Sequence, residues 1–118
     1  MHELSICQSL INQVEKVAEE NNAQAVSSIL LGIGALSGVE ADLLQRAFSI
    51  AKANSLADSA QLQIKPLPVI VKCMECNHES EVSINKLTCN QCGNWQTQLI
   101  SGDEMLLIRV ELEKETIN

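Results

Sequence analysis

The chain has 118 residues, a mass of 12.9 kDa, and 15 acidic against 8 basic residues, for a net charge of -7. That size leaves room for about one domain with a small inserted module and excludes a large multidomain enzyme. The acidic balance and an aromatic content of 2% exclude nucleic acid as the main partner, because little is available to neutralise phosphates or to stack on bases.

An apolar fraction of 46% with 19% charged residues predicts a folded chain. No apolar run reaches the roughly 18 to 20 residues of a spanning helix, and the start is neither basic nor followed by a small-residue cleavage site, so the expectation is a cytosolic protein that does not enter a membrane.

Leu4, Cys7, Leu10, Ile11, Val14, Val17 and Ala18 recur at spacings of three and four, which predicts a helix over about residues 4–20 with Cys7 in its core stripe. From Ala25 to Ala35 the period becomes two, with Ile29, Leu31 and Ile33 on one face and Val26, Leu30, Gly32 and Gly34 on the other. This predicts a strand buried on both sides, its glycines serving close packing. Ser37 followed by Glu40 matches a capping box, and Leu43, Leu44, Ala47, Phe48 and Ile50 predict a second helix running to about Asn54. Leu62, Ile64, Val69 and Val71 predict a second strand, placed at an edge or bent by Pro66 and Pro68. After Gly102, Leu106, Ile108, Val110 and Leu112 alternate with Met105, Leu107, Arg109 and Glu111, which predicts a third. The expected fold is α+β, with two helices packed on a small three-stranded sheet and a zinc-ribbon module inserted. The domains are expected at 1–70 plus 102–118 and at 71–101.

Cys73-Met74-Glu75-Cys76 and Cys89-Asn90-Gln91-Cys92 are two C-x-x-C pairs separated by twelve residues. Each turn brings two thiolates to one side, and two facing turns complete the tetrahedral sulfur cage that Zn²⁺ accepts. A closed set of four thiolates reads as structural zinc that folds residues 71–101. Asn77 and Gly93 follow the second cysteine of each pair and suit positive φ, which turns backbone N–H groups toward sulfur. His78 reads as a solvated histidine beside the site and is a secondary candidate ligand. A thioredoxin-like redox role is disfavoured, since neither pair opens a helix after a strand.

Met1-His2-Glu3 places an imidazole one residue from an α-amine. The amine, the deprotonated His2 amide and the imidazole can form fused chelate rings, a nitrogen-rich, near-planar set suited to Ni²⁺ or Cu²⁺, to which Glu3 could add an oxygen. A solvated terminus without a ligand is the plainer alternative for the same residues.

MHELSICQSLI at the start, LGIGALSGVEADLLQRAF in the middle, the two C-x-x-C pairs and SGDEMLLIRVELE at the end together resemble the HypA/HybF family of hydrogenase maturation nickel metallochaperones, over essentially the whole chain. The resemblance implies that Met1, His2 and Glu3 hold transferable Ni(II) and that Cys73, Cys76, Cys89 and Cys92 hold structural Zn(II). It also implies that Glu40 lies near nickel, in competition with its capping-box role. Ala41 stands where relatives often carry proline, and Gly93 where some carry histidine, so ligand exchange at zinc is not expected. The implied partners are the GTPase HypB and the [NiFe]-hydrogenase large subunit, with urease a further destination. No catalytic residues are expected: two histidines and scattered acids assemble neither a nucleophilic triad nor a phosphate loop. The rival reading is a zinc-ribbon adaptor that binds protein alone and transfers no nickel.

Overall fold

The computed structural model describes residues 2–114; Met1 and residues 115–118 lie outside the described part. The element order is α1 (Glu3–Glu20), β1 (Ala25–Gly34), α2 (Ala41–Ala51), β2 (Gln61–Leu67), β3 (Val69–Cys73), β4 (Glu79–Val82), β5 (Thr97–Ser101) and β6 (Met105–Glu113). The fold is α+β, with two helices and two three-stranded sheets ordered β2-β1-β6 and β4-β3-β5. The chain divides into two compact units, one of Met1–Leu31, Val39–Ile64 and Leu107–Asn118, the other of Gly32–Gly38 and Lys65–Leu106.

In the first unit the α1 stripe is buried at Cys7, Leu10, Ile11, Val14 and Ala18, while Leu4 is exposed at the helix end. The Cys7 thiol donates to the Leu44 carbonyl of α2 at 3.5 Å. On α2, Leu44 and Phe48, one turn apart, go inside; Leu43 and Ile50 lie off that line and are exposed, so the apolar face is narrower than its sequence suggests. Val26, Ile29 and Leu31 of β1 complete this core.

The capping box does not form. Glu40, in extended conformation, is the N-cap of α2 and no side chain caps the helix, because Ser37 turns back through its N–H to the Gly34 carbonyl and Gly38 takes φ 79°. The helix stops at Ala51, before Asn54, since Asn54 adopts φ 64° and the Ser55 hydroxyl takes the Lys52 carbonyl at 2.6 Å.

The single strand expected over 62–71 is two strands divided at Pro68, which has no N–H to give, and the second of them lies in the second unit. Before it, β2 carries Pro66 on a sheet edge; after it, β3 is the centre of the second sheet, which the sequence reading did not foresee. Along β3 Val69, Val71 and Cys73 are buried and Ile70 and Lys72 half-buried, so strict alternation carries the first cysteine inward. β3 pairs antiparallel with β4 (Val71↔Ser80) and with β5 (Cys73↔Thr97). The close packing assigned to Gly34 is real: a Cβ there would collide with the Gly102 carbonyl, and Gly102 in turn, at φ 129°, has Val69 Cα 2.9 Å from where its own Cβ would stand.

Candidate metal centre

Cys73 ends β3, and the chain turns at once so that Cys76 returns beside it. The turn is held by the Cys73 N–H donating to the His78 carbonyl at 2.9 Å and the Asn77 N–H donating to the Cys73 carbonyl at 3.0 Å, with Asn77 at φ 62°. The second pair repeats the pattern: Cys89 N–H to the Asn94 carbonyl at 3.0 Å, Gly93 N–H to the Cys89 carbonyl at 3.0 Å, and Gly93 at φ 78°. These are the two positions whose left-handed backbone favours asparagine or glycine.

Each turn aims N–H groups at its first sulfur. Glu75 and Cys76 donate to Cys73 Sγ, and Gln91 and Cys92 to Cys89 Sγ, all at 3.4 Å. The four sulfurs lie within 4.8 Å of one another, with Cys73–Cys92 and Cys76–Cys89 both at 3.6 Å. A zinc ion with four Zn–S bonds of about 2.3 Å needs tetrahedral edges of about 3.8 Å, so the donor set fits it in number, softness and spacing. Cys73 and Cys89 are buried, Cys76 and Cys92 exposed.

The N–H groups set the charge state of the sulfurs. The Cys92 N–H, then that of Gln91, hold the Cys89 thiol down at about 6, and the N–H of Cys76, then of Glu75, lowers Cys73. On Cys92 the Asn94 N–H pulls down, but hydrogen bonding to the Cys73 sulfur and burial prevail and push it up to about 12. Cys76 is raised in the same way, its neighbouring sulfurs and burial overcoming the His78 N–H. Cys89 is thus prepared as the thiolate and Cys73 is moved toward it, and the remaining protons leave when a divalent cation sits among the sulfurs. Zinc bound here would cross-link the end of β3 to the loop before β5, and with four protein ligands the shell has no open position.

Two supports of this centre escaped the sequence reading. Ser80, 3% exposed and opposite Val71 on β4, accepts the Asn90 N–H on its hydroxyl at 3.0 Å. The Asn90 amide donates to the Glu81 carbonyl at 3.1 Å, which moors the second turn to β4. A serine within the short Glu79–Val82 strand was the available signal, readable only once that strand is known.

The other candidates lie elsewhere. Among the described residues the four cysteines form the cluster of three or more metal-capable side chains, and His2, Glu3, Glu40 and His78 are not part of it. His78 is exposed and serves the first turn through its backbone. Met1 lies outside the described residues. His2 is exposed at the N-cap of α1, its carbonyl accepting the Ile6 N–H at 2.9 Å, and Glu3 is the first residue of that helix. Glu40 is exposed at the N-cap of α2, its carbonyl accepting the Leu44 N–H at 3.0 Å. His2, Glu3 and Glu40 all belong to the first unit and the cysteines to the second. No helix among the described residues is long and apolar enough to cross a membrane.

A sequence profile described as "Hydrogenase/urease nickel incorporation, metallochaperone, hypA" matches residues 1–112. The hydrogenase maturation factor HypA of Nitrosospira multiformis is 47% identical over 112 residues, covering 95% of this chain and 97% of that protein. Its counterpart in Aquifex aeolicus is 44% identical over 113 residues, covering 96% and 98%. The solution structure of the Ni metallochaperone HypA from Helicobacter pylori superposes with a TM-score of 0.73 at 30% identity, covering 98% of this chain and 100% of that one.

Proposed function

Because the chain belongs to the HypA family of hydrogenase/urease nickel-incorporation metallochaperones, we propose that it carries Ni²⁺ on its N-terminus and hands it to the [NiFe]-hydrogenase large subunit, in concert with the GTPase HypB. The ligands are the Met1 amine, the His2 amide nitrogen and the His2 imidazole, with Glu3 adding an oxygen and Glu40 a nearby carboxylate. The observation that carries this reading is the place of His2. An N-cap residue stands outside the helical hydrogen-bond ladder, so its N–H has no helical partner to surrender when nickel replaces the proton.

The two metals are separated by ligand chemistry. Four soft thiolates suit Zn²⁺ and enclose it, whereas amine, amide and imidazole suit Ni²⁺ and leave it open on one side to an incoming ligand. An exposed nitrogen site with one anchoring side chain passes its cargo on by ligand exchange, which is what a carrier requires. We assign residues 1–70 and 102–118 to nickel handling and residues 71–101 to a zinc-ribbon scaffold and docking surface. No reaction is assigned, and His78 stays a reserve ligand. The proposed setting is the cytoplasm, whose reducing chemistry keeps four thiols available to zinc.

The test is calorimetric nickel titration of zinc-loaded protein beginning at its native Met1. His2→Ala, or one residue added before Met1, removes nickel binding, and zinc stays at one ion per chain. Nickel bound equally by both variants overturns the terminal site, and a native protein that takes no nickel leaves the adaptor role in its place.

A further inference from the structure

The four sulfurs of the metal centre differ in access. Cys73 and Cys89, the first of each turn, are buried, and Cys76 and Cys92, the second of each turn, are exposed. Each buried sulfur has the exposed sulfur of the opposite turn at 3.6 Å: Cys92 beside Cys73, and Cys76 beside Cys89. Zinc with four protein ligands has no open position, so a small oxidant meets sulfur and not metal. The sulfur it meets is a thiolate, the nucleophilic form of cysteine. The two close pairs lie 19 and 13 residues apart in the chain, whereas the cysteines within one turn are three apart. A disulfide stabilises a fold more the longer the loop it closes, and a bond between turns also joins the end of β3 to the loop before β5, as zinc does. The folded module therefore favours bonds between turns over bonds within them.

We propose that the four-cysteine centre is a site of oxidative modification by hydrogen peroxide, at which zinc is exchanged for two disulfides, Cys73–Cys92 and Cys76–Cys89. The exposed thiolate of Cys76 or Cys92 attacks a peroxide oxygen. An S–O bond forms, the O–O bond breaks, and the departing hydroxide takes a proton to leave as water. The buried sulfur across the gap then attacks the resulting sulfenic sulfur, so that an S–S bond forms and the S–O bond breaks, and a second proton carries that oxygen away as water. Each disulfide thus consumes one peroxide, two electrons from sulfur and two protons from solvent, and it releases two waters. After both have formed no thiolate is left to hold zinc, which departs as Zn²⁺ with its oxidation state unchanged. A dithiol reverses both bonds by exchange. This differs from a thioredoxin-like role, because the bonds run between turns and the protein is the target of oxidation, not its catalyst. The inference rests on zinc at these cysteines and is independent of nickel.

The test is stepwise addition of hydrogen peroxide to the full-length, reduced, zinc-loaded protein, with released zinc read by a chromogenic chelator and free thiols counted in denaturant. The expected result is one zinc lost for every two peroxides consumed, with five free thiols falling to one, the buried Cys7. Trypsin cuts after Lys72, Lys86 and Arg109, so bonds between turns tie the peptide of residues 73–86 to that of residues 87–109 at the mass of a single chain. Fragmentation of the joined peptides should give Cys73–Cys92 and Cys76–Cys89. The amide signals of β3, β4 and β5 should persist in the oxidised protein, and a dithiol with added zinc should restore the starting thiol count and metal content. A reduced protein without zinc overturns the metal assignment and this inference with it. Zinc present at the start and retained after the thiols are lost, tryptic peptides that separate because the bonds lie within turns, or a Cys73–Cys89 bond overturns this inference alone.

Discussion

The two units keep their shape by different means. The first has an aliphatic interior, with Cys7, Val14, Ile29, Leu44 and Phe48 at 0–2% exposure from three separate elements. The second buries Val69, Val71, Cys73, Ser80 and Cys89 but leaves Met74, Ile84, Leu87, Trp95, Leu99 and Ile100 exposed. One follows the ordinary rule of apolar burial; the other has too little interior for that and needs a cross-link. Thus sulfur in the first unit acts as a small hydrophobe, while in the second it holds the module together.

The largest effect should come from the metal. Removing zinc with a chelator, or substituting Cys89→Ser, withdraws a contribution of about 10–16 kcal/mol from the second unit. The amide signals of β3, β4 and β5 should collapse to unfolded shifts while the ellipticity of α1 and α2 survives. Loss of both together would break the comparison and make the chain one cooperative block.

The reciprocal change is Phe48→Ala, which empties the first core and should cost about 3–5 kcal/mol. Urea denaturation followed by helical ellipticity would measure it, and metal analysis should still find one zinc per chain. A smaller effect sharpens the contrast between the two kinds of sulfur. Burial, and secondarily the charge of Glu3, push the Cys7 thiol up to about 11 from an ordinary 9.0. As pH rises the unfolded chain loses this proton first, so the stabilisation is whole below about pH 9 and is lost as pH passes about 11. Wild type should lose about 1–2 kcal/mol across that window relative to Cys7→Val, which has no thiol to titrate. Parallel stability curves for the two proteins would show that Cys7 is not held in its neutral form.

The sequence disclosed what local pattern alone determines. The α1 stripe is visible because seven apolar residues repeat at helical spacing, and the cysteine pairs because a C-x-x-C turn is complete within four residues. The second sheet was hidden because Glu79–Val82 and Thr97–Ser101 carry little alternation of their own; their pairing with β3 comes from the cysteine turns that bring them alongside. Ser37 and Glu40 misled for a related reason, since a capping box is a local motif and the turn through Gly34 and Gly38 overrode it. The extra width read into the face of α2 at Leu43 and Ile50 could not be told from core without knowing what α2 packs against.

Trp95 stands 75% exposed between the second cysteine turn and β5, and it is the one tryptophan in a chain without tyrosine. Intrinsic emission therefore comes from the unit that holds the four sulfurs, while helical ellipticity comes from the other. The protein thus carries two built-in spectroscopic channels, one for each half of its architecture. A single titration read in both would show in which half a metal, a partner or a denaturant acts first.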